Sequence, residues 1–366
     1  MKRLLLLLVI PAAGIAAGCS GAGSSSSLSF GAAGPWDQGY GAMNRRGVEL
    51  AQEEINALPE RAGKPLNIVF VNDSGSGQVA SAVAQHFVDS DSVLAVVGHV
   101  NSGAMVAAAQ VYNGRLAAVA TTASSPALTG ISTWAFRVIS SDSTNGIGMA
   151  QFAARRQRKR AAILFENNTY GRGLAESFRR GFTGEIISID PIAEGKAQTF
   201  EPYVSFYKQR APDVVFVAGT DESGLEFLKE VRRQQLNVDL IGGDGWSGLN
   251  VDTVRSEGVF AGVPFTSQDP RPEAQRFVQA FRKKFNMSPD HNAALAYDAT
   301  MLLYQGAKTG RNRAQIRDYL RDLSAESAHK GVTGSIFFKP DGDPASKNVV
   351  MTRIEHGVLR VAEGGA

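Results

Sequence analysis

Short apolar runs alternate with segments of helical periodicity along almost the whole chain, and this alternation constrains the fold more than any other feature. The first strands and helices are predicted at 28–33, 43–57, 66–71, 79–88, 93–97 and 104–112. The strand segments are nearly continuous in apolar residues, as in 68–71 and 94–97, which is typical of strands buried on both faces of a parallel sheet. The chain is therefore predicted to have an α/β fold with helices on both faces of its sheet.

A second series of the same kind follows and predicts a second lobe. Its strands and helices are predicted at 160–165, 170–180, 186–189, 214–217 and 224–233, with long helices at 272–285 and 291–307 and strands at 335–338 and 349–354. A chain of 366 residues with 43% hydrophobic residues is long enough to form two cores. A polar segment at 140–143 marks the break between them. The sequence thus predicts two doubly wound parallel-sheet lobes.

The N-terminal segment has the pattern of an export signal. Two cations precede an apolar run, and Pro11 and Gly14 interrupt that run before it reaches the about 18 residues that a membrane-spanning helix requires. Small residues then lead to Cys19, and a glycine- and serine-rich stretch follows. We expect residues 1–18 to be a cleaved signal peptide and residues 19–27 to form a flexible tether.

Residues 16–19 resemble the bacterial lipobox, which implies that Cys19 becomes the lipid-bearing N-terminus of the mature chain. Ala16 departs from the leucine that is most common at that position, and an unmodified cysteine is the alternative. Because Cys19 is the only cysteine, the chain cannot form an internal disulfide, and apolar cores must stabilise it. The sequence therefore predicts an exported, membrane-anchored lipoprotein that faces the periplasm or the cell exterior.

Charge and histidine spacing argue against several other classes of protein. The net charge of +3 comes from 38 cations and 35 anions, a near balance that gives no reason to expect nucleic acid as a partner. The five histidines lack the spacing of a metal site, so neither a metal nor a cofactor is predicted. The basic run at 155–160 is interpreted as a helix end, where the helix dipole favours cations. Binding of nucleic acid and docking of a partner are the alternatives for this run.

Two glycine-containing motifs resemble enzyme or cofactor sites, but simpler interpretations are favoured. Residues 75–80 fit the G-x-G-x-x-A pattern of dinucleotide sites, yet no acidic residue ends the next strand, so a turn and helix cap are predicted. Residues 245–249 approach the G-x-S-x-G elbow of hydrolases but end in leucine. The chain is therefore not predicted to be an enzyme. An exported hydrolase of small amides that uses Ser102 is an alternative.

Two hydroxyl-rich loops, each placed directly after a strand, indicate a binding site. Ser102 lies in the loop 98–103, and Thr122 and Ser124 lie in the loop 118–126. Helix N-termini bind carboxylates, and ligands of open α/β sheets lie beyond the carboxyl ends of the strands. Both loops are therefore expected to face one crevice. Ordinary helix capping by Ser102 and Ser124 is the alternative.

Six segments taken together resemble the type I periplasmic solute-binding proteins of the branched-chain amino acid transport family, the substrate-capturing components of ABC importers. They are residues 47–56, 96–102, 122–129, 168–173, 212–215 and 297–299, and the likeness spans residues 28–355. The resemblance implies two lobes joined by three hinge strands near residues 140, 265 and 340. The N-terminal lobe would contain residues 28–140 and 267–332, and the C-terminal lobe residues 141–266 and 333–366.

The resemblance also implies a set of ligand-binding residues, which are Tyr40, Ser102, Thr122, Ser124, Tyr170, Thr220 and Asp244. The hydroxyls at 102 and 124 and the backbone near 122 would hold the α-carboxylate of an amino acid, and Asp244 would hold its ammonium. The tyrosines at 40 and 170 would line the cleft. Charge compensation agrees with this assignment, because a zwitterion sealed between lobes loses its water. A surface turn at 242–245 is the alternative for the aspartate.

Two positions depart from the pattern of leucine-type binders. Asp244 is shorter than the glutamate found there, and Thr220, followed by Asp221 and Glu222, stands where those binders have an aromatic residue. The predicted ligand is therefore a polar or larger amino acid, with Thr220 and Asp221 nearest to its side chain. The protein is predicted to be a monomer that closes around this ligand and presents it to ABC permease subunits. A lipid-anchored sensor of an amino acid or small amide, with the same fold, is the alternative.

Overall fold

The computed structural model describes residues 28–59, 65–194, 199–310 and 312–365. The predicted signal peptide, Cys19 and the tether lie outside these residues. Within the described ranges, no helix combines the length and the hydropathy that crossing a bilayer requires.

The first sheet has five strands, all parallel: β1 (Leu28–Gly34), β2 (Leu66–Asn72), β3 (Val93–Gly98), β4 (Ala117–Ala120) and β5 (Ala135–Arg137). Their order is β2-β1-β3-β4-β5, and the helices α1 (Gly39–Ala57), α2 (Gly77–Asp89) and α3 (Ser102–Tyr112) connect them. Phe30 and Val97 belong to the core on one face, and Ala33 and Val96 belong to the core on the other. The strands are thus buried on both faces, which explains their unbroken apolar sequence.

The second sheet begins with five parallel strands: β6 (Arg160–Glu166), β7 (Glu185–Ile192), β8 (Val214–Ala218), β9 (Asp239–Gly242) and β10 (Phe260–Val263). Its helices are α4 (Asp142–Arg155), α5 (Thr169–Gly181), α6 (Glu201–Arg210) and α7 (Asp221–Arg233), and a 3₁₀ segment spans Asp244–Val251. The order is β14-β13-β10-β9-β8-β6-β7, where β13 (Val350–Glu355) and β14 (Val358–Val361) add an antiparallel edge.

Three further helices complete this part of the molecule: α9 (His291–Thr309) and α10 (Arg313–Arg321) pack against β3 and β4, and α8 (Pro272–Phe285) packs against α1. Leu295 and Leu302 of α9 share a core with Phe30 of β1. Helix α9 approaches α1 so closely that a Cβ atom at Gly47 would lie 2.1 Å from the Ala293 carbonyl oxygen, so only glycine fits there. A short antiparallel hairpin follows, formed by β11 (His329–Gly331) and β12 (Gly334–Ile336).

We call the five-stranded sheet with α1–α3 and α8–α10 the N-lobe, and the seven-stranded sheet with α4–α7 the C-lobe. The chain leaves the N-lobe between β5 and α4, returns between β10 and α8, and leaves again between β12 and β13. The predicted α/β fold with two parallel-sheet lobes is confirmed.

Some predicted elements differ from the observed ones in extent. The strand predicted at 335–338 ends at Ile336, and Phe338 forms only an isolated bridge to Pro344. Helix α7 begins at Asp221 rather than 224 and α3 at Ser102 rather than 104, because polar first-turn residues carry no apolar periodicity. These two early starts lie at the cavity described below.

The basic run at 155–160 spans a helix end and a strand start. Helix α4 ends at Arg155, and β6 begins at Arg160. Between them, the Nε atoms of Arg156 and Arg158 each donate to Asp239 Oδ2 at 2.8 Å. The helix-end interpretation therefore holds for the first residue of the run, and two of the others form an ion-pair network with one carboxylate.

Candidate ligand-binding site

A cavity of about 1120 Å³ lies where carboxyl ends of strands from both sheets meet. Its lining includes residues that directly follow β3, β4, β6, β8 and β9. This is the position in which open α/β sheets bind ligands. Six of the seven residues predicted to bind ligand line this cavity, namely Tyr40, Ser102, Thr122, Tyr170, Thr220 and Asp244.

The N-lobe wall of the cavity contains the start of α3. Asn101 occupies the N-cap position, but its side chain does not cap the helix. Its amide donates instead to the Tyr40 hydroxyl at 2.8 Å. Ser102 and Gly103, which begin the helix, line the cavity. The first N–H groups of α3 are thus left without a side-chain cap at the cavity wall, which makes this helix start a potential anion site.

Two hydroxyls of this wall, those of Ser102 and Thr122, differ in whether they are free to donate a hydrogen bond to a ligand. The Ser102 Oγ atom, whose residue is 3% exposed, accepts a hydrogen bond from the Ser125 backbone N–H at 3.2 Å. No described residue accepts its proton, so this hydroxyl can donate to a ligand. Thr122 Oγ1 instead donates to the Val100 carbonyl at 3.1 Å. Of these two hydroxyls, Ser102 is therefore the one that can donate to a ligand.

Ser124 lies beneath the cavity rather than on its wall. Its side chain is fully buried, and its hydroxyl donates to Asp142 Oδ2 at 2.9 Å. Neither Ser102 nor Ser124 caps a helix: Asn101 precedes α3, and Ser125 accepts from Ala127 N at 3.3 Å in a 3₁₀ turn. The capping interpretation of the two serines is therefore wrong.

The C-lobe wall contains the carboxylate of Asp244, directly after β9. The Tyr170 hydroxyl donates to its Oδ1 at 2.9 Å, and the Gly245 N–H donates to the same hydroxyl at 3.2 Å. From α9, His291 Nε2 lies 3.7 Å from Asp244 Oδ2. Asp244 is only 6% exposed, and burial raises its pKa. A surface turn does not describe this residue, because its carboxylate is buried at the cavity wall.

A second buried carboxylate, Asp142, lies at the start of α4. It accepts from Ser124 and, at 3.4 Å, from the Asn145 amide. Burial and, after it, the negative charge of Asp244 raise the pKa of Asp142. Sequence reasoning placed this residue only in a polar interlobe segment. The raised pKa, about 8, favours the protonated form of Asp142 beside the Asp244 carboxylate.

Glu166, at the end of β6, fixes the orientation of Thr220. Its Oε1 atom accepts from the Thr220 backbone N–H at 3.0 Å, from the Thr220 hydroxyl at 2.8 Å and from the Ser223 hydroxyl at 2.7 Å. Its Oε2 atom accepts from the Asn168 amide at 3.1 Å. Because the Thr220 proton points to Glu166, this hydroxyl can only accept from a ligand. Sequence reasoning missed Glu166, although its place at a parallel strand's carboxyl end could have identified it.

Three more carboxylates line the cavity on the C-lobe side: Glu194 after β7, and Asp221 and Glu222 in the first turn of α7. Burial and then the charge of Glu222 raise the pKa of Asp221, while burial and then the charge of Glu166 raise that of Glu194. The arginines of the lining, Arg46 and Arg282, belong to the N-lobe helices α1 and α8. The N-lobe wall also includes Asp290, the N-cap residue of α9, so it carries both signs, whereas the charged lining residues described on the C-lobe side are all acidic.

The other sequence motifs form no catalytic or metal site in the described part of the chain. Residues 75–80 form a turn followed by α2, where Gly75 has φ +68° and Ser76 Oγ accepts from Val79 N at 3.5 Å. The predicted turn and helix cap are confirmed. Across the described ranges, no three histidine, cysteine or acidic side chains are grouped as metal ligands would be.

The family of the chain follows from a comparison with protein-family profiles. The profile described as periplasmic binding protein matches residues 31–358. The chain belongs to the periplasmic binding protein family. The resemblance inferred from the six sequence segments is confirmed, and the family works outside the cytoplasm.

Similar proteins agree with this assignment. The Leu/Ile/Val-binding protein homolog 1 of Brucella abortus is 29% identical over 330 residues, which are 87% of each chain. The branched-chain amino acid transporter substrate-binding protein LivJ of Streptococcus pneumoniae, solved with isoleucine, is 25% identical with a TM-score of 0.86, covering 92% of this chain and 99% of that one. An ABC transporter substrate-binding protein of Desulfitobacterium hafniense, solved with leucine, is 28% identical with a TM-score of 0.80, covering 92% and 100%.

The chain is thus a substrate-binding protein of the branched-chain amino acid ABC transporter type. Its relatives are solute-binding proteins rather than enzymes, which confirms the prediction that the chain binds a ligand without transforming it.

Proposed function

We propose that this chain captures an α-amino acid with a polar side chain and delivers it to an ABC permease. The observation that carries the proposal is that one wall of the cavity can bind an anion and the opposite wall can bind a cation. The uncapped start of α3 offers donors to a carboxylate on one side, and the buried Asp244 offers a partner to an ammonium on the other. A zwitterion enclosed between lobes needs both partners, because each of its charges loses water.

The ammonium would bind Asp244, and the fixed geometry of that carboxylate supports this role. Tyr170 holds one oxygen of Asp244, and the raised pKa of the neighbouring Asp142 favours its protonated form, which leaves the negative charge on Asp244. An ammonium would offset the cost of burying the Asp244 carboxylate. Ser124 would act indirectly in this arrangement, because its hydroxyl orients Asp142 rather than facing the cavity.

The carboxylate would bind at the start of α3. The Ser102 hydroxyl, the first N–H groups of the helix and the backbone near Thr122 would donate to it, and Tyr40 would close the wall beside them. Charge-assisted hydrogen bonds of this kind are shorter and stronger than neutral ones. The helix dipole adds a favourable potential for an anion.

The side chain of the ligand would extend towards Thr220. The relatives from S. pneumoniae and D. hafniense were solved with isoleucine and leucine. In this chain a threonine whose proton is held by Glu166 stands where leucine-type binders have an aromatic residue. A threonine oxygen that can only accept favours a side chain that donates hydrogen bonds.

Hinge bending would convert binding into a signal for the permease. The lobes would comprise residues 28–140 with 267–332, and 141–266 with 333–366, joined near residues 140, 265 and 340. A ligand that touches both lobes only in the closed state shifts the population towards closure. The closed monomer would then dock on the permease.

Lipidation of Cys19 would keep the protein at the membrane after removal of residues 1–18. Mass spectrometry of the mature N-terminus tests this, with an acylated Cys19 expected. Substitution of Cys19→Ala should release the protein from membranes. An unmodified N-terminal segment on a membrane-free protein would contradict the anchor.

Titration calorimetry of the full chain with amino acids, small amides and sugars tests the ligand class. We expect L-amino acids with polar side chains to bind and Asp244→Asn to weaken them by about a hundredfold or more, because one partner of a buried charge pair is lost. Asp322→Asn is the matched control, since this aspartate is exposed on α10's C-terminal side and pairs only with neighbouring arginine. Binding of uncharged amides or sugars alone would contradict the proposal.

Uptake measurements separate transport from sensing. Deletion of the protein should abolish uptake of the labelled amino acid that calorimetry identifies. Unchanged uptake would instead indicate a lipid-anchored sensor with the same fold.

A further inference from the structure

We propose that the ligand is an α-amino acid whose side chain carries a positive charge, and that Asp221 at the start of α7 binds that charge. The inference rests on the proposed function, because it assumes that Asp244 and the start of α3 hold the α-ammonium and α-carboxylate. The rest of the cavity then determines which class of ligand side chain can bind.

Asp221 is a carboxylate at the cavity that no cation among the described residues accompanies. It lines the cavity, and among the described residues no lysine, arginine or histidine lies within 4.0 Å of its carboxylate oxygens. Burial and the neighbouring Glu222 raise its pKa, as expected for a carboxylate that has lost water without gaining a cationic partner. Lobe closure around a neutral side chain would remove more of that water. A cationic side chain would compensate for it.

The surroundings of Asp221 are acceptors from several strand ends. Thr220 directs its proton to Glu166 and leaves only lone pairs, and Glu194 lines the same side. From the opposite lobe, the Tyr40 hydroxyl lies in the field of Glu166, Glu194 and Asp221, and burial is the main cause of its raised pKa. Glu166 is fully buried, Asp221 is partly buried and Glu194 is exposed, so the carboxylates on this side lie at different depths.

His291 gives an independent indication that a ligand with hydrogen-bond donors belongs here. It lines the cavity and is 2% exposed, and its Nδ1 atom has no hydrogen-bond partner. Its other nitrogen, Nε2, faces Asp244 at 3.7 Å, so the tautomer with a proton on Nε2 leaves Nδ1 as an acceptor. Buried polar atoms are rarely left unpaired in folded proteins, so a donor from outside the chain is indicated.

The positively charged side chain of the proposed ligand would also lie away from the arginines that line the cavity. Arg282 is exposed and donates to Ser288, and the only hydrogen bond of the Arg46 guanidinium within the described residues is to Met43 Sδ at 3.4 Å. Both arginines come from the N-lobe, where the α-carboxylate would bind. Among the described residues, the lining side chains of the opposing wall are acidic or neutral. A cationic side chain is therefore placed opposite to the arginines rather than beside them.

The experiment compares two pairs of ligands by calorimetry on the full chain. L-Citrulline is an uncharged isostere of L-arginine, and L-norleucine replaces the charged end of L-lysine by a methyl group. We expect each cationic member to bind at least tenfold more tightly than its neutral partner. Binding of citrulline as tight as that of arginine would overturn the inference and leave the proposed function intact. Absence of binding by any amino acid would overturn both.

The role of Asp221 is tested with charge-neutral variants. In Asp221→Asn, we expect arginine binding to weaken at least tenfold while citrulline binding changes less than threefold. Glu226→Gln is the matched control, since Glu226 lies on the same helix, pairs with Lys229 at 3.5 Å and does not line the cavity. Asp221→Glu should restore most of the preference. If Asp221→Asn does not fold, Glu194→Gln must reduce the preference at least threefold. An unchanged arginine preference in a folded variant would overturn the assignment.

Discussion

Among the helices that begin at the cavity, α3 in the N-lobe and α7 in the C-lobe have first turns of opposite chemistry. Helix α3 begins with Ser102 and Gly103, has no acidic residue in its first turn and lacks a side-chain cap. Helix α7 also lacks a side-chain cap, but it begins with Asp221 and Glu222. An exposed helix N-terminus is positive, and first-turn carboxylates neutralise or reverse that potential. The same backbone feature therefore makes a donor wall in one lobe and an acceptor wall in the other.

This difference teaches that the first-turn side chains, rather than the helix start itself, decide which charge a cleft wall binds. It also gives the proposed ligand an orientation. The carboxylate would point to the N-lobe, and the ammonium and the side-chain donors would point to the C-lobe. Each prediction below changes one wall and leaves the other unchanged.

Placing a carboxylate in the first turn of α3, as in α7, should cause the largest loss of ligand affinity. In Gly103→Asp, a new carboxylate would lie where the ligand's carboxylate binds, and like charges brought together at an interface cost several kcal/mol. We expect affinity for amino acids to fall by about a hundredfold or more in calorimetry. A Cβ atom at Gly103 meets nothing nearer than Thr169 Oγ1 at 3.4 Å, so the fold should tolerate the change.

Gly103→Asn is the control for this variant, because it adds the same volume without the charge. It should cost less than tenfold in affinity. Equal losses for Gly103→Asp and Gly103→Asn would show that space rather than charge matters at the start of α3.

Removing the donor hydroxyl of the N-lobe wall should have an intermediate effect. Ser102→Ala deletes a hydrogen bond to a charged group, which contributes about 1.5–3 kcal/mol, so the dissociation constant should rise about tenfold to a hundredfold. Calorimetry measures this directly. Ser81→Ala is a suitable control, since that serine lies on α2 and donates to the Gly77 carbonyl at 3.1 Å. A Ser102→Ala protein with unchanged affinity would remove this residue from the site.

Lowering the pH should weaken ligand binding by a smaller factor, because it protonates Asp244 in the C-lobe wall. Burial raises the pKa of Asp244 in the free protein, and a bound ammonium would lower it again. Because the complex then holds fewer protons than the free protein, affinity falls as the pH drops towards the raised pKa. We expect binding at pH 5 to be about threefold weaker than at pH 7 by the same linkage.

The pH dependence has its own control in Asp244→Asn, which should bind weakly and lose less affinity between pH 7 and pH 5 than the unmodified protein. Tighter binding at pH 5 than at pH 7 in the unmodified protein would contradict the role of a buried carboxylate.

Regular elements of the fold were predictable because their signals are local. Strand β6 and helix α8 were predicted within a residue or two of their observed ends, since apolar runs and helical periodicity specify them. Helix α6 was missed, because it has a proline at its second position and buries only Val204 and Tyr207. Strand β9 was missed because four residues carry too little pattern.

The site was predictable only in part, because its geometry depends on residues that are distant in sequence. Loop position after strands identified Ser102, and the family resemblance identified Asp244 and Tyr170. Nothing local indicates that Asp142, 102 positions before Asp244, lies close enough for the charge of Asp244 to raise its pKa. His291 lies 47 positions after Asp244 and meets it only because α9 packs on the N-lobe while β9 belongs to the C-lobe.

A crystal structure of the protein with its tightest-binding amino acid would test the opposite chemistry of the two walls most directly. We predict that the ligand carboxylate lies within hydrogen-bonding distance of Ser102 Oγ and the first N–H groups of α3, and that its α-ammonium contacts Asp244. A ligand bound in the reverse orientation, with its carboxylate at the start of α7, or a ligand that contacts neither helix start, would contradict the account.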